Sequence, residues 1–266
     1  MDDNAFFIQG TSLLLCEKES SSPDIPQLPL LCAEDFPQAD VFTVPALTGG
    51  DSISCVSIPA GIPLPPHYKT IPIRQAISLH AECWIGLTGP SAGILRAHHI
   101  AQWRRESLFC GSCGGKNADS GSEVARVCPV CGRTEYPRIS PAVITVIVNN
   151  EGQTLLAHNK KFTPGLYSLI AGFAEAGENL ETAVARETRE ETGIEIGDIK
   201  YAASQPWPFP NSLMIGFSAR YVSGTLRPDG AEIEDVRWFS RENLPSLPSQ
   251  GSVSRYLIEC WLAGKI

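Results

Sequence analysis

The sequence predicts an α/β protein carrying a four-cysteine ribbon and a small, strand-rich N-terminal domain. Three observations carry that expectation. From about residue 137 onward, apolar runs of strand length alternate with segments of helical periodicity. Two Cys-x-x-Cys pairs stand close together between residues 106 and 136. Upstream, short apolar segments are broken by Pro and Gly, the texture of strands joined by turns. The chain of 266 residues has the length of about two domains, and 43% hydrophobic residues suffice for a core, which excludes disorder throughout. The 23 Gly and 21 Pro imply many turns and argue against a helical bundle. A net charge of −8 excludes global attraction to nucleic acid or an anionic membrane, but not a local basic site.

In chain order, residues 1–105 form the N-terminal domain. Strands are expected over 42–47, 53–58 and 71–79, and a loop over 17–24. Ile94, Leu95, His98, Ile100 and Ala101 have helical spacing within 91–105. Residues 106–136 are the ribbon, and 137–266 the C-terminal domain. There, 143–148 reads as a buried strand and 154–158 as its neighbour after a turn. Leu213, Ile215, Phe217, Ala219 and Tyr221 alternate as in a strand. Val253, Tyr256, Leu257, Cys260 and Trp261 form an amphipathic terminal helix. The first four residues, Met1, Asp2, Asp3 and Asn4, lack the basic start of a secretory signal, and no apolar run approaches a membrane span. The expectation is a cytoplasmic protein with no membrane partner.

Cys110, Cys113, Cys128 and Cys131 form two pairs separated by fourteen residues. Each Cys-x-x-Cys sits in a tight knuckle that turns two thiolates inward, and two knuckles complete a tetrahedral shell for one structural Zn²⁺. No position is left for water or substrate. A redox dithiol needs only one pair, so two at ribbon spacing favour zinc. The remaining cysteines, at 16, 32, 55, 83 and 260, read as small buried hydrophobes.

A helix is expected over 180–192, with Asn179 as its cap, Gly193 ending it, and Leu180, Ala183, Val184 and Thr188 facing inward. Glu187, Glu190 and Glu191 share one face at i, i+3 and i+4, at the helix end that disfavours negative charge. Each conflict costs roughly 0.3–1 kcal/mol. A hard divalent cation, Mg²⁺ or Mn²⁺, reverses the sign of that interaction. The plainer alternative is a solvated acidic face salted by Arg186 and Arg189. Further on, Gln205-Pro206-Trp207-Pro208-Phe209-Pro210-Asn211-Ser212 holds three prolines at alternate positions, predicting an extended, stiff backbone. It presents Trp207 and Phe209 as a wall for flat rings, with Gln205, Asn211 and Ser212 adding polar contacts. A Pro-rich connector, or a ligand for an SH3 or WW domain, is the bland alternative.

Written out, Gly172-x5-Glu178-x7-Arg186-Glu187-Thr188-x-Glu190-Glu191-x-Gly193-Ile194 resembles the Nudix box at every fixed position. Only Thr188 stands where that family usually has an aliphatic residue. The resemblance implies a Nudix α/β/α sandwich and a catalytic Mg²⁺ or Mn²⁺ site ligated by Glu187, Glu190 and Glu191. Arg186 would hold a carboxylate in place, and Glu178 would act as a supporting ligand or orienter. The Pro-aromatic segment after such a box, and the order of N-terminal domain, ribbon and box, resemble the NADH pyrophosphatase (NudC-like) group over about residues 105–260. The N-terminal third matches only in size and position.

That resemblance implies substrate contacts from Gln205 through Ser212 and from Tyr136. It implies metal ligation by the Ala171 carbonyl and by Glu232. A site-closing segment would include Ser254, where Ala is expected. The implied activity is hydrolysis of the NAD(H) diphosphate to nicotinamide mononucleotide and AMP. NAD-capped RNA is a further candidate substrate, with Arg104, Arg105, Lys160 and Lys161 as local contacts. Glu190 and Glu232 both remain candidates for the general base. A homodimer is also implied, and the apolar C-terminal helix suits one. Two rivals stand: a Nudix hydrolase of ADP-ribose or dinucleoside polyphosphates, which the Pro-aromatic segment disfavours, and a non-catalytic nucleotide- or RNA-binding ribbon protein, which the complete set of glutamates disfavours.

Overall fold

The structure, a computed structural model, describes residues 5–16, 36–45, 52–65, 68–78 and 90–266. The expected loop at 17–24, Cys32 and Cys83 lie outside the described residues. The chain divides into two compact units, Met1–Arg138 and Ile139–Ile266.

In the first unit, β1 (Ala5–Gln9), β2 (Ser12–Cys16), β3 (Asp40–Val44), β4 (Ile53–Ile58) and β5 (Tyr68–Pro72) form a sheet in the order β3-β4-β1-β2-β5. Only β1 and β4 run parallel. Phe7, Leu14, Phe36, Val56, Ile58 and Tyr68 make its core. The strand expected over 71–79 does not continue through the described residues: from Ile73 the chain turns into α1 (Ile73–Ser78), and residue 79 lies outside them. Ile73, Ala76 and Ile77 recur at i, i+3 and i+4, so a helix buries all three on one side, which a strand cannot do. The expected helix is α2 (Pro90–Glu106). Cys55 is fully buried, as expected of a small hydrophobe.

Arg104 and Arg105, the two expected RNA contacts on α2, are engaged within the unit. Arg104 binds both carboxylate oxygens of Asp40 (2.7 and 3.0 Å) and reaches Asp119 (2.9 Å), while Arg105 donates to Ser57 Oγ (2.8 Å). Arg126 donates to the Arg104 carbonyl (2.8 Å) and to Asp119 (3.1 Å), so charge-assisted bonds fasten the ribbon to this helix. The ribbon itself is a small sheet of β6 (Ala118–Asp119), β7 (Arg126–Val127) and β8 (Thr134–Glu135).

The second unit is built on β9 (Ser140–Val148), β10 (Thr154–Asn159), β11 (Ile170–Phe173), α3 (Leu180–Thr192), β12 (Ile194–Trp207), β13 (Ser212–Gly224), β14 (Ile233–Phe239) and α4 (Val253–Leu262). The sheet order is β12-β13-β9-β10-β14, with β11 also pairing β9, and β9 and β13 parallel. β13 shows how the layers arise. Its Ile215 and Phe217 pack with Val143 against Ala183 and Val184 of α3. Gly216 between them faces the other way, where a Cβ would lie 3.1 Å from Leu257 and 3.3 Å from Val253 of α4. The alternation of one strand thus seats a helix on each side, an α/β/α sandwich. Val253, Leu257, Ile258, Cys260 and Trp261 of α4 are all buried within their own unit, and Trp261 Nε1 donates to the Gly152 carbonyl (3.1 Å). The apolar face of α4 is therefore no argument for a dimer.

Candidate active site and metal centres

The α3 helix forms as its sequence dictates. The Asn179 side chain accepts the Thr182 N–H (2.8 Å) at the start, and Gly193 ends it at φ 74°, where its N–H meets the Arg189 carbonyl. Thr188 is wholly buried, its hydroxyl satisfied by the Val184 carbonyl (2.7 Å), so the polar residue sits in an apolar stripe without an orphan donor.

One guanidinium organises the outer carboxylates. Arg186 donates from Nε and a terminal nitrogen to the two oxygens of Glu178 (2.9 and 3.0 Å), and from the other terminal nitrogen to Glu187 (2.9 Å) and Glu190 (3.1 Å). It also donates to the Phe173 carbonyl (2.9 Å), tying the helix to the end of β11. Hydrogen bonds from Arg186, then from the Glu175 N–H, hold Glu178 below the usual carboxylate range. Burial pushes Glu187 up, against the pull of Arg186.

Glu191 differs from its neighbours. It is 9% exposed, and its pKa is pushed up to about 8, first by burial and then by Glu187, Glu232, Asp229 and Glu190. A carboxylate held among other carboxylates in a partly dry site is an arrangement that a hard divalent cation relieves. The donor chemistry, oxygen throughout, suits such an ion.

Gly172 makes the cluster possible. A Cβ there would fall 2.0 Å from the Glu187 carboxyl carbon. Ala171, whose carbonyl is the implied metal ligand, precedes it on β11 and pairs with Ile144. A Gly172→Ala variant should therefore keep its fold, because only the far end of a flexible side chain must move. Its kcat should fall about tenfold or more, since the Glu187 carboxylate is displaced by about 1 Å. Melting temperature unchanged with turnover reduced is the expected pair of results. Unchanged turnover would mean that Glu187 tolerates displacement.

The Pro-aromatic segment is not extended throughout. Gln205, Pro206 and Trp207 end β12, whereas 208–211 form the turn of a hairpin in which Trp207 pairs with Ser212. Ladder pairing to β13 holds the first half straight, and the short reversal consumes the second. Trp207 and Phe209 pack edge to face with ring centroids 5.2 Å apart. Pro208 and Ser212 are buried and Pro210 exposed, while the Asn211 carbonyl accepts the Ser140 N–H (2.9 Å).

Gln205 is 1% exposed and fully engaged: its Nε2 donates to the Gly251 carbonyl and its Oε1 accepts the Val253 N–H, both at 2.8 Å. It therefore clamps the loop before α4. Ser254, also buried, shares a 2.8 Å hydroxyl contact with Ser168. Tyr136, in the first unit, is exposed, and its hydroxyl donates to Glu123 (3.1 Å). Glu232 is exposed on the loop before β14, and Lys160 of the basic pair is tied to the Gly230 carbonyl. Phe173, which sequence reasoning did not single out, is 52% exposed next to the carbonyl that Arg186 binds. It falls within the variable part of the box, so no fixed pattern marks it.

The four ribbon cysteines converge, with all sulfurs within 4.8 Å of one another and closest pairs at 3.4 Å (Cys113, Cys128) and 3.6 Å (Cys110, Cys131). Tetrahedral zinc with bonds of about 2.3 Å places sulfurs about 3.8 Å apart. The two knuckles are copies of each other. Gly114 and Gly132 adopt φ 73° and 75° and donate to the Cys110 and Cys128 carbonyls, both at 2.9 Å. The donor set and spacing suit a closed structural site.

Strand glycine, carboxylate helix and mixed sheet together make the site of a Nudix hydrolase, and the chain belongs to the Nudix family: its NUDIX domain spans residues 138–260. The chain is 45% identical over 202 residues to the NAD-capped RNA hydrolase NudC of Pseudomonas aeruginosa, a match covering 74% of this chain and 69% of that one. It is 49% identical over 170 residues to the NAD-capped RNA hydrolase NudC of Stutzerimonas stutzeri, covering 64% and 61%. Among solved structures, a NUDIX hydrolase from Nitrosomonas europaea is 26% identical, covering 51% of this chain and 79% of that one with a TM-score of 0.44. No helix among the described residues is long and apolar enough to cross a membrane.

Proposed function

We propose that this protein hydrolyses the diphosphate of NADH and NAD⁺ to nicotinamide mononucleotide (reduced or oxidised) and AMP, and removes the NAD cap from RNA 5′ ends by the same cleavage, releasing nicotinamide mononucleotide and leaving a 5′-monophosphate on the RNA. The observation that carries this reading is the intact assembly of Glu178, Arg186, Glu187, Glu190 and Glu191 in a chain 45% identical to an NAD-capped RNA hydrolase. Mg²⁺ or Mn²⁺ held by Glu187, Glu190, Glu191, Glu232 and the Ala171 carbonyl would neutralise diphosphate oxygens and lower the pKa of the attacking water.

The chain's own residues do the rest. Arg186 fixes the spacing of three carboxylates, so binding does not have to order them. Glu190 or Glu232, both open to solvent, takes the proton of the water. Trp207 and Phe209 offer a ring edge and face to a flat heterocycle, with Tyr136, Asn211 and Ser212 as further contacts. Gln205 and Ser254 act by holding segment 251–254, where the chain enters α4. Zn²⁺ on the four cysteines staples the ribbon and takes no part in the cleavage. A cytoplasmic homodimer with domains at 1–105, 106–136 and 137–266 completes the reading.

The test is competition between NADH, NAD⁺, NAD-capped RNA and ADP-ribose at equal concentration with Mn²⁺. The nicotinamide substrates should be consumed first, and preferred consumption of ADP-ribose would make this a general ADP-sugar hydrolase. Trp207→Ala should lower kcat/KM for NADH about tenfold, the worth of roughly 1–1.5 kcal/mol of aromatic contact. ADP-ribose, lacking the nicotinamide, should lose less. Equal losses on both substrates would remove Trp207 from nicotinamide recognition.

A further inference from the structure

The loop that carries Glu232 is organised by a residue outside the Nudix box. Asp229 Oδ1 accepts three successive backbone N–H groups, from Ala231 (3.0 Å), Glu232 (3.1 Å) and Ile233 (2.8 Å), and Oδ2 is 3.3 Å from the Glu232 N–H. Gly230, at φ 69°, lets the chain curl around that carboxylate and donates its own N–H to the Ile233 carbonyl (3.1 Å). The same segment docks on the end of α3: Arg227 N–H donates to the Thr192 carbonyl (2.9 Å) and Asp229 N–H to the Glu191 carbonyl (3.2 Å). These are carbonyls that a helix C-terminus leaves without intrahelical donors. From β10, Lys160 N–H donates to the Glu232 carbonyl (3.0 Å), and Lys160 Nζ binds the Gly230 carbonyl.

We propose that Asp229 is a positioning residue: by collecting the N–H groups of 231–233 while its own N–H caps the Glu191 carbonyl, it sets Glu232 beside the carboxylates of α3. This rests on the proposed role of Glu232 at the catalytic metal site. Each link is local and specific. The three N–H groups fix the backbone of Glu232 itself, and the α3 contacts fix where that backbone lies relative to Glu191. The electrostatics agree with the placement, because Glu232 and Asp229 both raise the proton affinity of Glu191. Despite its partial desolvation, Asp229 itself is held below the usual carboxylate range by the N–H groups of Ile233, Glu232 and Ala231 and by Lys160. The carboxylate is thus used as an acceptor of backbone bonds. An asparagine keeps an acceptor oxygen there, and an alanine keeps none.

The experiment compares Asp229→Ala, Asp229→Asn and Glu187→Gln in the full chain. It reads Mn²⁺ affinity by titration without substrate, and amide hydrogen exchange at 231–233 without metal. Asp229→Ala should weaken Mn²⁺ binding on the order of 10-fold, in the range of residues that orient metal ligands. It should also speed exchange at 231–233, and raise the Mn²⁺ concentration for half-maximal turnover more than it lowers kcat at saturation. Asp229→Asn should recover most of the affinity and the exchange protection. Two results overturn the proposal: wild-type Mn²⁺ affinity in the alanine variant, or an asparagine variant as weak as alanine, which would mean that Asp229 acts by its charge. Glu187→Gln separates the two levels of inference. If that variant binds Mn²⁺ normally, the metal-site reading fails whatever Asp229 does.

Discussion

Glu191→Gln and Glu187→Gln should each cut kcat by roughly 10²–10⁴-fold while the protein stays folded, because each removes one charged oxygen donor from the site that must neutralise a diphosphate. Near-normal turnover in either variant at saturating Mn²⁺ would contradict the assignment. A second consequence separates Glu191 from an ordinary surface glutamate. Its carboxyl titrates near pH 8 in the folded protein, raised by burial and by Glu187, Glu232, Asp229 and Glu190, against about 4.3 unfolded. The folded state therefore holds a proton that the unfolded chain releases. That contribution to stability is complete below about pH 4.3 and is lost as pH rises through about 8. Chelator-treated protein should melt progressively lower from pH 5 to pH 9, and Glu191→Gln should flatten that slope. At pH 9 the variant should be the more stable by about 2–4 kcal/mol, and near pH 4 the two should converge. Thermal melts in chelator across this range check it, and a variant with the wild-type slope would show that Glu191 is not the group titrating.

Cys128→Ser should abolish stoichiometric zinc and destabilise the first unit by at least about 3 kcal/mol. Cys128 is wholly buried, its sulfur is 3.4 Å from that of Cys113, and its knuckle lies one short strand from the Arg126 bonds to Arg104 and Asp119. Serine cannot replace a thiolate in the shell, and a segment with three short strands has no core to fall back on. The ratio of kcat/KM between NADH and NAD⁺ should stay within about twofold, since the chemistry rests on α3. Elemental analysis and calorimetry make the test. A purified wild-type protein without zinc would remove the ribbon assignment altogether.

How far the sequence carried this reading differs by element. The box residues announced α3 with both caps, because an N-cap asparagine, a terminal glycine and a 3.6-residue apolar stripe are local signals that tertiary structure did not override. The paired cysteines announced their convergence for the same reason, since each knuckle is closed by its own glycine. Residues 71–79 read as a strand because a six-residue helix offers too few turns to show its period. β1 and β2 went unrecognised, because each is five residues long and pairs mostly with strands far along the chain.

The sequence by itself determined the chemistry: which carboxylates share a helix face and which sulfurs can close a shell. Only the tertiary structure decided how those groups are held. It placed Gly172 against Glu187, committed Arg104 to Asp40 and Asp119, and turned Gln205 away from an open surface to clamp Gly251 and Val253. It also docked the Asp229 turn on the Glu191 carbonyl. The physical reason is the range of the interactions. Caps, knuckles and helical faces are set within about four residues of chain, where spacing alone dictates geometry. A missing Cβ, a buried amide or a half-buried arginine acquires its meaning from a partner 15 to 64 residues away, which no local pattern encodes.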